Sequence, residues 1–326
     1  MDGKVDRMSL PDLKGWLPVS ISRHTSEPVV DWCRMGKRRF RESFFDHTVQ
    51  TAMQEPFSLL FRHQLPLDSL IEWQERSPGP APSGFIFHMS RCGSTLVSQM
   101  LAALPGHIVL SEPPPLDALL RMDRRGASDE QRIAWLRAWA SAMGQPRNGE
   151  HSLLVKLDAW HVFDLPLLRR AFPDTPWIFL YRNPVEVMVS AIGNPGMHLV
   201  PGMVDVTTLG IDQGQVLQMP QAEYIARVLA AVMRAGLEGV VSLGGKAIDY
   251  ETLPEGVFSS IAPHFGLSLS REEIEAMQAI TAYHAKTPSF NFEPDSETKR
   301  RAAGEDVVAL CAALLDPLYE QLRRLS

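Results

Sequence analysis

The sequence has little cysteine and none of the common metal-binding spacings. Its three cysteines, Cys33, Cys92 and Cys311, lie far apart along 326 residues. They cannot build a disulfide framework, so we expect a reducing compartment. Neither a Cys-x-x-Cys pair nor a His-Glu-x-x-His or EF-hand spacing occurs. These absences argue against a structural zinc or calcium site, and we expect no metal.

Long hydrophobic runs are also missing. The longest apolar run covers residues 307–315, about half of what a membrane-spanning helix needs. The first residues lack the apolar core of a signal peptide. Both observations predict a soluble, cytoplasmic protein without a membrane partner.

The charge balance is weakly acidic. The chain has 32 lysines and arginines against 38 aspartates and glutamates, a net charge of −6. A general nucleic-acid binder is normally basic, so no nucleic-acid partner is expected, although a local basic pocket for a small anion remains compatible. The basic run at residues 37–41 is such a candidate for an anion or partner patch, but a solvated helix face is the favoured interpretation.

A proline-rich seam at residues 77–83 (Ser-Pro-Gly-Pro-Ala-Pro-Ser) can form neither a helix nor a central strand. Before the seam, phenylalanines at positions 40, 44, 45, 57 and 61 recur at roughly helical intervals. We therefore predict a helical N-terminal extension over residues 1–80 and a main domain over residues 84–326.

After the seam, short apolar runs alternate with helical patterns. The predicted strands are 84–88, 107–110, 153–156, 177–181 and 246–250, and the predicted helices are 95–104, 129–143, 166–171, 185–192 and 222–237. Apolar strands separated by helices indicate an α/β fold, with a central parallel sheet flanked by helices. Ligands bind such sheets at the carboxyl ends of the strands.

The most informative segment, residues 85–96, joins a strand to a helix through a short polar turn. The turn has one glycine, Gly93, and the helix opens with Ser94 and Thr95. Backbone N–H groups and the helix dipole make such a junction an anion site, and Arg91 adds a guanidinium suited to phosphate. Ser94 stands where a Walker A loop has lysine, which disfavours magnesium-dependent phosphoryl transfer from ATP.

This segment, Ser90-Arg91-Cys92-Gly93-Ser94-Thr95, resembles the 5′-phosphosulfate-binding loop of sulfotransferases that use 3′-phosphoadenosine 5′-phosphosulfate (PAPS). A second block of that family, which binds the 3′-phosphate, is matched by Arg182 and by Ser190 eight positions later. A third is matched by Tyr250 and Glu251 at the end of a predicted strand. The resemblance covers roughly residues 84–300 and implies a three-layer, P-loop-like fold.

The resemblance also implies a general base. The histidine-base, cytosolic type has a Lys-x-His strand end, where this sequence has Lys156-Leu157-Asp158. The glutamate-base type places a glutamate after the loop arginine, and Glu112 follows Arg91 by 21 positions. We expect Glu112 to be the base, with a pKa raised by partial burial and tempered by nearby cations, and Asp158 is the alternative. Lys156 would stabilise charge on the bridging oxygen.

Two sets of site residues follow from the resemblance. The expected catalytic residues are Glu112, Lys156 and Arg91. The residues expected to hold PAPS, as co-substrate, are Arg91, Cys92, Gly93, Ser94, Thr95, Arg182, Ser190, Tyr250, Lys286 and Lys299.

The sequence thus predicts transfer of a sulfuryl group from PAPS to a hydroxyl or amine of a small-molecule or peptide acceptor. A non-catalytic nucleotide-binding or regulatory module with the same fold is the alternative. A homodimer stays open. The long, aperiodic segment 194–220 is either a lid over the acceptor or a surface excursion.

Overall fold

The strands divide between a central parallel sheet and two small antiparallel sheets. The computed structural model describes residues 10–22, 27–122, 127–203, 209, 211–216, 218–284, 287–291 and 295–326. The strands are β1 Trp16–Ser22, β2 Val29–Arg34, β3 His63–Pro66, β4 Gly84–His88, β5 His107–Ser111, β6 Ser152–Lys156, β7 Trp177–Tyr181, β8 Lys246–Asp249, β9 Tyr283–His284 and β10 Thr287–Asn291.

Helices fill most of the connections between the strands. The α-helices are α1 Phe45–Met53, α2 Pro56–Leu60, α3 Ser69–Arg76, α4 Ser94–Ala102, α5 Pro114–Leu120, α6 Asp129–Met143, α7 Leu165–Ala171, α8 Pro184–Gly193, α9 Gln213–Val216, α10 Gln221–Leu243, α11 Ala262–His264, α12 Arg271–Ile280, α13 Ser296–Ala302, α14 Glu305–Leu310 and α15 Asp316–Arg323. Short 3₁₀ turns cover Ala159–Asp164, Met197–Leu199 and Tyr250–Thr252, and π-helical turns cover Val257–Ile261 and Cys311–Leu315.

The central sheet has the strand order β5-β6-β4-β7-β8, and all of its pairings are parallel. Every residue of β4, β5, β6 and β7 is buried. Strands covered on both faces read as continuous apolar runs, which is why the sequence reveals them clearly. The predicted α/β class with a central parallel sheet flanked by helices is confirmed.

The helices hold the carboxyl ends of these strands in place. Helix α4 packs on β4 and β5, and the long helix α10 packs on β7 and β8. Helix α10 ends at Gly244, whose φ of 75° lies in the left-handed region that favours glycine. Among the residues that the structure describes, no helix is long and apolar enough to cross a membrane.

The N-terminal segment is not the helical extension that the sequence predicts. It contains α1, α2 and α3, but β1, β2 and β3 form an antiparallel sheet beside them. The aromatic spacing suggested helices, whereas the β-branched and aromatic residues of β2, with their largely alternating burial, favour a strand. Strand β1 packs on α5 and α6, so this sheet covers one side of the main body.

The proline-rich seam has the irregular backbone that the sequence predicts. Residues 77–83 form neither helix nor strand. The division of the chain at this point into two domains stays a prediction.

Candidate active site

A loop with unusual backbone angles connects β4 to α4. Ser90 and Arg91 have φ values of 78° and 55°, and Gly93 has φ 81°. A Cβ atom at Gly93 would lie 2.9 Å from the ring of Tyr250 and 2.9 Å from Leu253 Cδ1, so only glycine fits there. Left-handed backbone at non-glycine residues is costly and clusters at functional sites.

This loop presents the start of α4 to the carboxyl end of the sheet. Ser94 and Thr95 form the first turn of the nine-residue helix and are buried. Their N–H groups at the start of a helix are donors of the kind that anions bind, and the anion site itself stays a prediction. Cys92 instead donates its thiol to the carbonyl oxygen of Leu180 at 3.2 Å, and burial raises its pKa to about 12. Its side chain is therefore an unreactive packing group.

Lys156 and Glu112 meet beside this loop, as the sequence predicts for two residues at neighbouring strand ends. Lys156 Nζ lies 2.6 Å from Glu112 Oε1 and 3.4 Å from Thr95 Oγ1. The Lys156 side chain is 1% exposed, and the ring of Phe44 lies 5.2 Å from its ammonium group. Glu112 adopts a positive φ of 53°, and its N–H donates to the Lys156 carbonyl oxygen at 2.8 Å.

The electrostatics of Glu112 differ from the prediction of a raised pKa. Burial acts to raise the pKa of Glu112, but the charge of Lys156 and a contact with His88 outweigh it and hold the pKa well below the usual range. The prediction is therefore wrong in direction, because the ammonium group lies in direct contact with the carboxylate. Glu112 stays ionised across the neutral range.

His88, the last residue of β4, was missed by the sequence analysis. Its Nδ1 accepts the N–H of Ser90 at 3.0 Å, so the neutral ring carries its proton on Nε2. That Nε2 lies 3.6 Å from Glu112 Oε1. Burial lowers the pKa of His88, and Lys156 lowers it further. The ring is thus a neutral donor facing Glu112. Its position in the sequence, at the end of a strand and just before the loop, could have marked it as a candidate site residue.

His198 is a second buried histidine near this site, at a position where the sequence predicts only a surface or packing role. It is buried against Trp160, with 5.5 Å between ring centroids, and its Nε2 has no hydrogen-bond partner in the described part of the chain. Burial, with His88 next, lowers its pKa to about 4, while the charge of Glu112 acts in the opposite sense. Arg91 donates to the carbonyl oxygen of Asn194 and so ties this segment to the loop.

Asp158, the alternative base, lies close to the same charges. Burial, and next the negative charge of Glu112, raise the pKa of Asp158 to about 7. Its Oδ2 lies 3.9 Å from His161 Nδ1. Asp158 therefore titrates in the neutral range, unlike Glu112.

Asp158 also belongs to a group of possible metal ligands. Ligand atoms of Asp117, Asp158 and His161 lie within 4.8 Å of one another. Asp117 Oδ1 already lies 2.8 Å from both Trp160 Nε1 and His161 Nε2. These internal contacts account for the cluster, and the absence of a metal site stays a prediction.

A second charged cluster surrounds Arg182 at the end of β7. The buried guanidinium donates from Nε to Glu186 Oε2 at 2.6 Å and stacks on the ring of Tyr250, 4.0 Å from its centroid. Its Nη1 lies 3.5 Å from the carbonyl oxygen of Arg91. The Arg182 cluster therefore adjoins the loop, as the sequence predicts.

Asp295 joins Arg182 to a further predicted residue. Arg182 Nη2 lies 3.0 Å from Asp295 Oδ1, and Lys299 Nζ lies 2.6 Å from Asp295 Oδ2. Burial acts to raise the pKa of Asp295, but Lys299 and Arg182 lower it, so the carboxylate is charged. Ser190 lies on α8, partly exposed. Lys286 lies outside the described residues.

The fold and this site define an α/β protein with a phosphate-type loop, a buried Lys156–Glu112 pair and an Arg182 cluster at one edge of a parallel sheet. The model of the sulfotransferase family matches residues 82–271, more than half of the chain. The chain therefore belongs to the sulfotransferase family, and the predicted family is confirmed. No curated protein matches this sequence.

Several solved structures resemble the chain at low identity. The sulfotransferase domain from the curacin biosynthetic pathway is 18% identical over 72% of this chain and 98% of its own, with a TM-score of 0.44. A sulfotransferase from Mycobacterium avium is 15% identical over 77% and 81%, with a TM-score of 0.46. One from Alicyclobacillus acidocaldarius is 20% identical over 75% and 99%, with a TM-score of 0.40.

Proposed function

We propose that this sulfotransferase takes its sulfuryl group from PAPS and passes it to a hydroxyl or amine of a small-molecule or peptide acceptor. The contact of Lys156 Nζ with both Glu112 and Thr95 carries the proposal. It joins an ammonium group, a carboxylate and the start of an anion-binding helix at one point. Transfer of an anionic group to a protonated acceptor needs these three elements together.

In this proposal the loop binds one end of PAPS and the Arg182 cluster binds the other. Arg91, the hydroxyls of Ser94 and Thr95 and the N–H groups of the loop bind the 5′-phosphosulfate. Arg182, with Ser190, Lys286 and Lys299, binds the 3′-phosphate, and Tyr250 lies against the nucleotide. The contact between Arg182 and the Arg91 carbonyl oxygen supports one ligand that spans both clusters.

The reaction then proceeds in one displacement. The acceptor oxygen or nitrogen gives its proton to the Glu112 carboxylate and forms a bond to sulfur. The bond between sulfur and the bridging phosphate oxygen breaks, and adenosine 3′,5′-bisphosphate leaves with that electron pair. Lys156 stabilises the charge that develops on the bridging oxygen, because its ammonium group is buried and already oriented by Thr95 and Glu112. The proposal invokes no metal.

The direct test is transfer of labelled sulfur from PAPS to a panel of phenols, alcohols, amines and peptides. Formation of a sulfated product together with equal amounts of adenosine 3′,5′-bisphosphate is expected. Tight bisphosphate binding without transfer to any acceptor would favour the non-catalytic module instead. Consumption of ATP with transfer of phosphate would contradict the proposal.

Donor affinity should depend on Arg182. We expect Arg182→Gln to weaken binding of adenosine 3′,5′-bisphosphate about 10- to 100-fold, since hydrogen bonds between charged groups are lost. Isothermal titration calorimetry measures this change. Arg170→Gln is the matched control, because Arg170 is an exposed arginine that pairs with Asp129. Unchanged affinity in Arg182→Gln would contradict the assignment of the 3′-phosphate site.

Asp295 should act as an internal competitor of the donor phosphate. Its carboxylate neutralises Arg182 and Lys299. We therefore expect Asp295→Asn to tighten bisphosphate binding by about two- to fivefold, the scale of one partly exposed ion pair. Glu297→Gln is the control, since Glu297 is an exposed residue of α13, the helix that begins just after Asp295, and it pairs with Arg301. Weaker binding in Asp295→Asn would show that the carboxylate supports the site.

A further inference from the structure

The basic run at residues 37–41 lines a groove in the N-terminal segment, outside the part of the chain that the family model matches. The groove has a volume of about 790 Å³. We call it the basic groove. Its charged wall consists of Arg34, Lys37, Arg38, Arg39, Arg41, Glu42 and Glu55. Five cations thus face two carboxylates in a chain whose net charge is −6.

Two of the five cations are already engaged within the protein. Arg38 forms an ion pair with Glu55. Arg39 donates to the carbonyl oxygens of Leu104 and Pro105. The Arg39 contacts fix the wall of the groove to the main body.

Within the described ranges of the chain, the other three cations have no such ion pair. No carboxylate oxygen lies within 4.0 Å of a side-chain nitrogen of Arg34, Lys37 or Arg41, although the backbone N–H of Arg41 donates to Glu42 Oε2 at 3.3 Å. The Arg34 guanidinium lies 4.6 Å from the centroid of the Phe57 ring, which holds it beside the groove. The groove therefore offers three free positive charges to an external anion.

An apolar ridge borders the basic groove. Helix α2 and the residue after it expose four large apolar side chains: Phe57 at 38%, Leu59 at 59%, Leu60 at 78% and Phe61 at 56%. The rings of Phe57 and Phe61 contact each other at 4.9 Å between centroids. Contiguous exposed apolar residues of this kind mark an interaction surface.

We propose that the basic groove and the apolar ridge together dock the protein on an anionic phospholipid bilayer. The groove receives the phosphate of one lipid headgroup on Arg34, Lys37 and Arg41, while Leu60 and Phe61 enter the outer edge of the acyl layer. Phe57 belongs to both the basic groove and the apolar ridge. The protein can therefore contact the headgroup and the acyl chains of the lipid side by side. Apolar side chains beside lysines and arginines are the combination that binds such an interface.

The charge distribution of the protein favours contact with an anionic lipid surface through the face that carries the basic groove. Because the whole chain is acidic, an anionic bilayer repels most of its surface and attracts the basic groove. The apolar ridge projects into solvent, and its most exposed side chain, Leu60, is 78% exposed. Such a projecting side chain can insert between lipid acyl chains. This peripheral contact needs no membrane-spanning helix, and it departs from the sequence-based expectation of no membrane partner.

Vesicle sedimentation tests the proposal with the full chain. The protein should sediment with phosphatidylcholine vesicles that contain phosphatidylglycerol and remain in solution with phosphatidylcholine alone. Binding should weaken as sodium chloride is raised, because the attraction is screened. Equal binding to both vesicles, or no binding to either, would overturn the proposal.

Two sets of substitutions separate the charge from the apolar contact. Arg34→Gln combined with Lys37→Gln should lower the partition coefficient about 25-fold, since each cation contributes about fivefold. Leu60→Ser combined with Phe61→Ser should lower it at least about tenfold. Arg271→Gln, at an 89% exposed arginine of α12, is the control and should leave it unchanged.

Folding and self-association are checked on the same samples. Circular dichroism should be unchanged in both variants, because all four side chains are exposed or lie at the rim of the groove. Unchanged vesicle binding in both variants would overturn the proposal. A dimer that the Leu60 and Phe61 substitutions dissociate would assign the ridge to a second copy of the chain and would also overturn it.

Discussion

Glu112→Gln is expected to lower kcat for sulfuryl transfer by about 10²–10⁴-fold, the contribution of a positioned general base. The glutamine can still accept a hydrogen bond from Lys156 but cannot take the acceptor proton. KM for PAPS should change little, because the Glu112 carboxylate makes its contacts with Lys156 and His88 rather than with a residue expected to hold PAPS. Steady-state kinetics measure both constants.

Asp158→Asn is the matched control, since asparagine keeps the size and the capping oxygen of Asp158. Full activity in Glu112→Gln with loss of activity in Asp158→Asn would transfer the role of base to Asp158.

The pH dependence of kcat separates the two carboxylates independently. A base works only when it is deprotonated, and Lys156 holds the pKa of Glu112 below its usual value of about 4.3. If Glu112 is the base, kcat should not fall as the pH is lowered from 8 to about 5, because Glu112 stays deprotonated over this range. Asp158 as base would instead produce a decline as the pH falls through about 7.

Lys156→Met is expected to lower kcat by about 10²–10³-fold, the typical cost of removing one oriented donor from a developing charge. The buried ammonium group contacts Thr95 and Glu112, and among the residues the structure describes no other lysine or arginine lies within 4.0 Å of the Glu112 carboxylate. Lys246→Met is the control, because Lys246 lies at the amino end of the same sheet.

The same variant should change the acid limb of the pH profile. Removing Lys156 takes away the charge that holds the pKa of Glu112 down against burial, so this pKa should rise and the residual rate should fall at a higher pH than in the unmodified protein. An unchanged acid limb in Lys156→Met would contradict the electrostatic coupling of the pair.

The central sheet, the loop, Lys156 and Glu112 could be predicted because their signals in the sequence are local. Each buried strand is a continuous apolar run, and the loop from Ser90 to Thr95 stands directly between such a run and a helix. Lys156 and Glu112 follow neighbouring strands, and parallel strand ends meet at one edge. Their contact at 2.6 Å therefore follows from order along the chain.

The missed residues depend on contacts between distant parts of the chain. Asp295 meets Arg182 across 113 positions, so neither residue signals the other. His198 lies in an aperiodic segment, and its burial depends on Trp160 and the loop. The direction of the pKa shift of Glu112 also needed the actual distance to Lys156, because burial and ion pairing act in opposite senses.

The N-terminal sheet was missed for a different reason. The stretch with helical phenylalanine spacing, residues 40–61, does contain helices α1 and α2. The strands β1 and β2 lie earlier, where proline and tryptophan interrupt a simple pattern. Short antiparallel edges of this kind depend on packing more than on propensity.

Phe44 links that N-terminal segment to the chemistry of the main body. Its ring lies 5.2 Å from Lys156 Nζ and helps to cover an ammonium group that is 1% exposed. Phe44 stands outside the residues that the family model matches. The local dielectric around Lys156 is therefore set partly by a segment that lies outside the matched region. Substitutions at Phe44 can then change the surroundings of the ammonium group while every residue of the matched region stays the same.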